Sequence, residues 1–121
     1  MSNLRLPLKK KWFDMTDIGI KTEDYREMTP YWFARLCLWN GRKLSQADWA
    51  KVLQLTNPLS HGMMTFRVFD TTTLTLGYPS KEDTGKIITF EHLETYFGRG
   101  NEEWGANKDE WVFIIKHGRK L

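Results

Sequence analysis

The feature that most constrains the fold is an apolar run near the end of the printed sequence. Residues 111–118 read WVFIIKHG, and the first five of them are apolar without interruption. A half-buried strand alternates apolar with polar residues, whereas an unbroken run is typical of a strand covered on both faces. The chain is therefore expected to build a sheet that contains this strand and carries other elements on its faces.

Helix signals concentrate in the first half of the chain. A first helix, rich in apolar residues on one face, is predicted to end at Gly19, which suits the position just after a last turn. A second is predicted to begin with Thr29 as N-cap and Pro30 in its first turn, and to stop at Gly41. A third, with Ser45 as N-cap, has the clearest buried stripe.

Strand signals flank and follow these helices. Residues 4–9 alternate leucine with other residues, and Pro7 favours a place at a sheet edge. Two later strands, MTFRVFD and TLTLGY, are predicted to meet through a turn at residues 70–73, and residues 86–97 read as one long strand or a strand with a bend. This order predicts an α+β fold over a single domain, 1–121, with a mixed or antiparallel sheet curled into a small β-barrel and two to three flanking helices.

Composition narrows the class of protein only mildly. Eighteen Lys and Arg against fifteen Asp and Glu give a net charge of +3, which is compatible with a polyanionic partner without indicating one. The single cysteine, Cys37, excludes an internal disulfide framework and fits a reducing compartment. No apolar run approaches the length of a membrane span. A cytoplasmic protein without a membrane partner is expected.

Several chemistries are absent from the sequence. The histidines His61, His92 and His117 lack the spacing of metal ligands, and neither a P-loop nor a nucleophile-elbow motif occurs, so no metal or cofactor is expected. The stretch GRGNEEWG is a weak match to a phosphate loop, and its glycines are interpreted first as a turn that needs positive φ. Arg99 and Asn101 within it are kept as candidate binding residues.

Residues 19–28, GIKTEDYREM, pose the main functional question, because they have strand character and charge on both faces. Such a strand is stable when one face lines a wet, charged cleft and the other faces solvent. Asp24 and Arg26 share one face and are expected to pair with one another. Lys21 has the opposite parity, so it reaches the same cleft only if the chain leaves Gly19 irregularly or carries a bulge.

An ammonium and a guanidinium around one carboxylate form an electropositive site that suits a phosphate or the carbonyl edge of a base. Aromatic side chains near it offer faces for stacking a splayed base, as in single-stranded RNA recognition. They are Tyr25, Tyr31, Trp32 and Trp104. The alternative is an ordinary salt-bridge network on a barrel wall, with Trp32 in the core.

The residues Gly19, Lys21, Asp24 and Arg26 match a pattern G-x-K-x-x-[E/D]-x-R. With LPLKKKWFDM before it, EMTPYW after it and the closing GRGNEEWGANKDEWVFIIKHG, the chain resembles the ASCH domain family, whose fold is similar to the PUA barrel of RNA-binding proteins. The resemblance covers both ends, whereas residues 37–78 are atypical. It implies RNA binding, amide hydrolysis on acylated cytidine-type nucleosides, or nuclease activity.

Two departures bear on activity. Asp24 stands where the family usually has Glu, and its side chain is one methylene shorter. In the hydrolase branch a Lys and a Thr of the motif work with a Glu elsewhere; Lys21 matches the Lys, while Asp24 occupies the Thr position.

The first hypothesis is a nucleic-acid-binding or nucleotide-binding domain with a charged cleft, RNA being the preferred partner. Its candidate binding residues are Lys21, Arg26, Tyr25, Lys9, Arg99, Asn101 and Trp104. The alternative is an amidohydrolase of a modified, acylated cytidine-type nucleoside, or a ribonuclease, with Lys21 as base or nucleophile and Asp24 orienting it or the attacking water. A third is an interaction protein whose cleft is vestigial.

Overall fold

The structure is a computed structural model that describes residues 2–60, 62–80 and 82–121. The described residues contain three α-helices and seven strands, which follow one another as β1 (Asn3–Leu8), α1 (Lys10–Asp17), β2 (Glu23–Arg26), α2 (Pro30–Leu36), β3 (Cys37–Trp39), α3 (Gln46–Leu55), β4 (Met64–Phe66), β5 (Thr71–Leu76), β6 (Ile87–Arg99) and β7 (Trp111–Lys120). Short 3₁₀ turns lie at Pro58–Ser60, Thr84–Lys86 and Glu102–Trp104.

Five strands form one mixed sheet in the order β1-β5-β6-β7-β2. The β1–β5 pair is parallel and the other pairs are antiparallel. The sheet curls into a half-barrel, with the three helices beside it. The predicted α+β class, mixed sheet and helix number are confirmed.

The two edges of this sheet are β1 and β2, so Pro7 lies on an edge strand as predicted. One side chain bridges the seam between them: the Arg26 guanidinium donates from Nη2 to the carbonyl oxygen of Pro7 at 2.8 Å. β6 is one long strand, which is the first of the two predicted alternatives, and its register on β7 shifts on either side of His92.

β7 lies inside the sheet, between β6 and β2. Four consecutive residues, Val112, Phe113, Ile114 and Ile115, are buried, so both faces of the strand are covered as predicted. Phe113 packs edge-on against Phe33 of α2, with ring centroids 4.9 Å apart.

The helices complete the core. The Ser45 hydroxyl accepts from the Asp48 backbone N–H at 3.1 Å, and Thr29 accepts from Trp32, so both predicted N-caps are confirmed. Trp49 of α3 is fully buried against Phe33, with ring centroids 5.1 Å apart.

Two predictions about the middle of the chain are wrong. α2 ends at Leu36 rather than at Gly41, because Cys37 turns to extended backbone and starts β3, which pairs with β4. β4 and β5 do not form a hairpin through residues 70–73. β5 pairs instead with β1, which is distant in the sequence. Asp70 holds the start of this pair, because its carboxylate accepts from the Ser2 N–H and its own N–H donates to the Ser2 carbonyl oxygen.

Within the described chain, no helix combines the length and the apolar character needed to cross a membrane.

Candidate functional site

The charged segment begins with an irregular exit from α1. Gly19 adopts a φ of +84°, and the backbone N–H groups of Ile20 and Lys21 both bond to the carbonyl oxygen of Met15. Residues 23–26 then pair with β7. The predicted irregularity at Gly19 is confirmed, and it carries Lys21 onto the Asp24 side of the strand.

Lys21, Asp24 and His117 form a buried cluster. The Lys21 ammonium makes an ion pair with Asp24 Oδ1 and donates to the Glu23 carbonyl oxygen at 2.5 Å. The other oxygen of Asp24, Oδ2, lies 2.6 Å from His117 Nε2. None of the three residues is more than 4% exposed, so the cluster is shielded from bulk water.

Burial shapes the titration of the lysine and of the aspartate. It lowers the pKa of Lys21, although the charge and the hydrogen bond of Asp24 offset part of this effect. Burial also tends to raise the pKa of Asp24. The hydrogen bond with His117 and the charge of Lys21 outweigh that tendency, so the pKa of Asp24 lies below its usual range.

His117 is the cluster member that sequence reasoning did not assign to a site. The sequence did contain a signal for it: Phe113, Ile115 and His117 share one face of β7, and the first two are fully buried. A histidine at the next inward position of an apolar strand needs a polar partner, and Asp24 provides it. Its Nδ1 is buried and has no hydrogen-bond partner among the described residues.

The predicted pairing of Asp24 with Arg26 is wrong. Both oxygens of Asp24 are held by Lys21 and His117. The Arg26 guanidinium donates instead to the carbonyl oxygens of Tyr25 and Pro7, at 2.7 and 2.8 Å. It also lies over the ring of Trp32, 5.1 Å from its centroid.

A small hollow, called the recess here, opens beside the cluster with a volume of about 110 Å³. It brings together five of the predicted site residues, and its lining consists of Leu8, Trp12, Lys21, Asp24, Tyr25, Arg26, Trp104 and Gly105. Two cationic groups and one carboxylate face this space, together with three aromatic rings.

Tyr25 is held in place on the recess wall. Its hydroxyl donates to Glu23 Oε1 at 3.0 Å and accepts from the Asn101 backbone N–H at 2.8 Å. Burial, with the nearby Glu23 carboxylate, raises the pKa of Tyr25. The Asn101 side chain accepts from the Glu103 N–H and caps a turn, so Asn101 positions Tyr25 through its backbone and does not line the recess.

One of the three glycines in the loop GRGNEEWG has the predicted positive φ. Gly98 and Gly100 do not have positive φ, and the turn falls at Gly105, with a φ of +100°. Gly100 is required for a different reason: a Cβ there would stand 2.7 Å from the ring of Tyr25. Without a Cβ at Gly100, side chains of the protein itself can pack closely against the backbone there.

Two predicted binding residues lie apart from the recess. Lys9 is exposed at the N-cap of α1, and Arg99 is exposed and pairs with Asp109 at 3.5 Å. Neither lines the recess.

A larger hollow, called the cavity here, is also lined by Lys21 and has a volume of about 360 Å³. Phe90 packs beside the His117 ring within it, with centroids 5.5 Å apart, and the ion pair between Lys120 and Asp17 lies at its margin. Its lining is Thr16, Asp17, Ile18, Gly19, Lys21, Thr22, Phe90, His117, Gly118 and Lys120. Lys21 thus lines both the cavity and the recess.

The described residues contain no group of three or more His, Cys, Asp or Glu side chains that could hold a metal ion. His61 lies outside the described residues.

Comparison with known proteins adds no relative. No protein-family model, no curated protein and no solved structure matches the chain. The ASCH and PUA-like assignment therefore stays a prediction.

Proposed function

We propose that the protein binds a nucleoside or a single nucleotide of RNA, which lies in the cavity and presents a polar edge to the buried cluster. The observation that carries this proposal is the position of Lys21, which lines two hollows while its ammonium lies within the protein. Strongly perturbed titratable groups in a cleft are typical of functional sites.

The hydrogen bonding of the cluster supports a ligand. A lysine ammonium has three N–H donors, and two of them are taken by Asp24 and by the Glu23 carbonyl oxygen. Within the described residues no acceptor takes the third. A carbonyl or phosphate oxygen in the cavity or in the recess would complete the set.

The size and exposure of the site favour a small ligand over a long nucleic-acid backbone. Sites for small molecules are typically about 300–1,000 Å³, and the cavity has about 360 Å³. The Lys21 side chain is only 1% exposed, so a ligand would have to reach it with a small polar group that enters a hollow, which an extended backbone on the surface does not provide.

The proposal extends to a PUA-like fold and to membership of the ASCH family. The curled mixed sheet and the convergence of Lys21 and Asp24 after the Gly19 turn support it. A reducing, cytoplasmic location is part of the same proposal, supported by the buried free thiol of Cys37, whose pKa burial raises to about 12.

A binding measurement with a blocked cavity tests the proposal. Thr22 lines the cavity with an exposed side chain, so Thr22→Trp should fill its mouth and weaken nucleoside binding at least about tenfold. Calorimetric titration with cytidine, uridine, adenosine and their monophosphates provides the measurement. Thr65→Trp, at an exposed position of β4, is the matched control. Equal binding by Thr22→Trp and Thr65→Trp, or no binding by the parent protein, would contradict it.

Hydrolysis of an acylated cytidine-type nucleoside is a second candidate, favoured by the lowered pKa of Lys21 beside Asp24. A neutral Lys21 amine would take a proton from water as the water oxygen attacks the acyl carbon. The C–N bond then breaks, the proton passes to the departing nitrogen, and the acyl group leaves as a carboxylic acid. Asp24 would orient Lys21, and His117 would hold Asp24.

Product analysis by chromatography, with N-acylated cytidine as substrate, tests this second candidate. Lys21→Met should abolish release of free cytidine, while Lys51→Met, which removes an exposed lysine of α3, should keep the parental rate. A parent protein that releases no more cytidine than Lys21→Met rules hydrolysis out and leaves the binding proposal standing.

A further inference from the structure

A third hollow, called the groove here, lies on the surface beside α2 and has a volume of about 520 Å³. Its lining combines aromatic rings with guanidinium groups and contains no carboxylate; the residues that matter are Arg5, Pro7, Tyr31, Trp32, Arg35 and Tyr78. It shares no lining residue with the cavity or the recess.

The arginines of the groove are available to a partner. Among the described residues neither Arg5 nor Arg35 forms an ion pair with a carboxylate, and both are exposed. The Arg35 guanidinium lies over the Tyr31 ring at 4.5 Å from its centroid, and Tyr31 meets Trp32 edge-on at 5.0 Å. These contacts hold the Arg35 guanidinium and the two rings together in the lining of the groove.

The tyrosines of the groove contribute little to the core. Tyr78 is 93% exposed and Tyr31 is 41% exposed, which is more than packing requires of large aromatic side chains. Exposed rings beside unpaired guanidinium groups are the combination that single-stranded nucleic acid uses, through stacking on the rings and pairing of phosphates with the cations.

Arg26 joins the groove to the recess. It lines the recess, stacks on Trp32 and bonds to the Pro7 carbonyl oxygen, and both Trp32 and Pro7 line the groove. A strand in the groove therefore lies one side chain away from the recess.

We infer that the groove binds a single strand of nucleic acid, with bases stacked on Tyr31 and Tyr78 and phosphates paired with Arg5 and Arg35. This inference goes beyond the proposed function and does not depend on binding or chemistry at the buried cluster. A duplex hides the base faces, and an acidic peptide uses the arginines while leaving the rings without a stacking partner.

Fluorescence anisotropy with labelled oligouridylate and oligodeoxythymidylate of about eight nucleotides tests the inference. Tyr78→Ala should weaken binding at least about fivefold, the lower limit for loss of one stacked base. With two phosphates neutralised, log affinity should fall against log salt with a slope of about −1.4, and Arg35→Ala should reduce that slope by about 0.7. Arg42→Ala, an exposed arginine outside the groove, is the control and should behave as the parent.

Loss of binding in Tyr78→Ala and Arg35→Ala with either oligonucleotide supports the groove, and a preference between the two identifies the natural sugar. Unchanged binding in both variants overturns the inference, as does equal affinity for a hairpin duplex or for polyglutamate. Circular dichroism of each variant verifies folding.

The cavity variant Thr22→Trp separates the two proposals. If it alone weakens binding of the oligonucleotide, the groove proposal fails and the cavity proposal stands. If only the groove variants do so and no nucleoside binds, the cavity fails and the groove stands.

Discussion

Lys21 places a charged ammonium group in the interior of this protein. The ammonium is buried, and the cost of removing its charge from water is offset by the Asp24 carboxylate and by one backbone carbonyl. Asp24 is in turn shared with His117. Removing one member of such a buried set leaves an uncompensated charge, whereas removing both charges together does not.

The first prediction follows from this asymmetry. Lys21→Met should lower the free energy of unfolding by about 3–5 kcal/mol, because Asp24 then stays buried with His117 as its only partner. The double variant Lys21→Met, Asp24→Asn should lose clearly less, since no buried carboxylate remains. Urea denaturation followed by tryptophan fluorescence gives both values.

Lys51→Met is the matched control for that prediction, because Lys51 is exposed on α3 and its removal should change the unfolding free energy by less than about 0.5 kcal/mol. If the double variant proves less stable than the single one, Lys21 does not act as the counter-ion of Asp24.

At the scale of elements, the loop after β6 fixes the position of β2. The ring of Tyr25 lies against Gly100, and its hydroxyl bonds to the backbone of Asn101. Gly100→Ala places a methyl group 2.7 Å from that ring and 2.7 Å from the Cβ of Ala106, and it should destabilise the protein by about 1–3 kcal/mol through overpacking.

Thermal unfolding of Gly100→Ala beside Gly85→Ala provides the measurement. A Cβ at Gly85 meets nothing within 4 Å, and its φ is not positive, so that variant isolates the steric effect. Similar melting temperatures for the two variants would show that the loop does not hold β2.

Elements with local signals were predictable from the sequence, and elements defined by distant contacts were not. The caps at Thr29 and Ser45 and the turn at Gly19 depend on neighbouring residues, and the structure has all three. The β1–β5 parallel pair joins segments almost 70 residues apart, with Asn3 opposite Thr71, and no local pattern specifies such a partner.

The same division applies to the site. Lys21 and Asp24 were predictable because they lie in one short motif, and the role of His117 was not, because it follows from the register of β7 on β2. Charge alone does not place a residue at a site, since exposed cations occur over the whole surface, and Lys9 and Arg99 lie outside the recess.

For the whole molecule, acid stability should depend on His92. Its two ring nitrogens lie 2.8 and 3.0 Å from the hydroxyls of Thr72 and Thr95, and burial, with the charge of His117, lowers the pKa of His92 from 6.5 to about 4. Between these values the unfolded chain binds more protons than the folded one. The unfolding free energy should therefore fall as pH drops from about 6.5 to about 4.

Urea denaturation at several pH values measures this slope, and His92→Gln should flatten it. Asp24 acts in a separate window, because its folded pKa lies below 3.8 and its contribution is lost only under more acidic conditions. A parent protein whose stability stays constant between pH 6.5 and 4 would show that His92 does not titrate as described.

Among the described residues, β1 and β2 each have one edge without a neighbouring strand, and the Arg26 guanidinium reaches from one edge to the other. A contact made by one side chain can break without disrupting the backbone hydrogen bonds of either strand. Because the same guanidinium makes the Pro7 bond and the Trp32 contact, shortening this side chain should part the two edges locally while leaving the backbone hydrogen bonds of β1 and β2 intact.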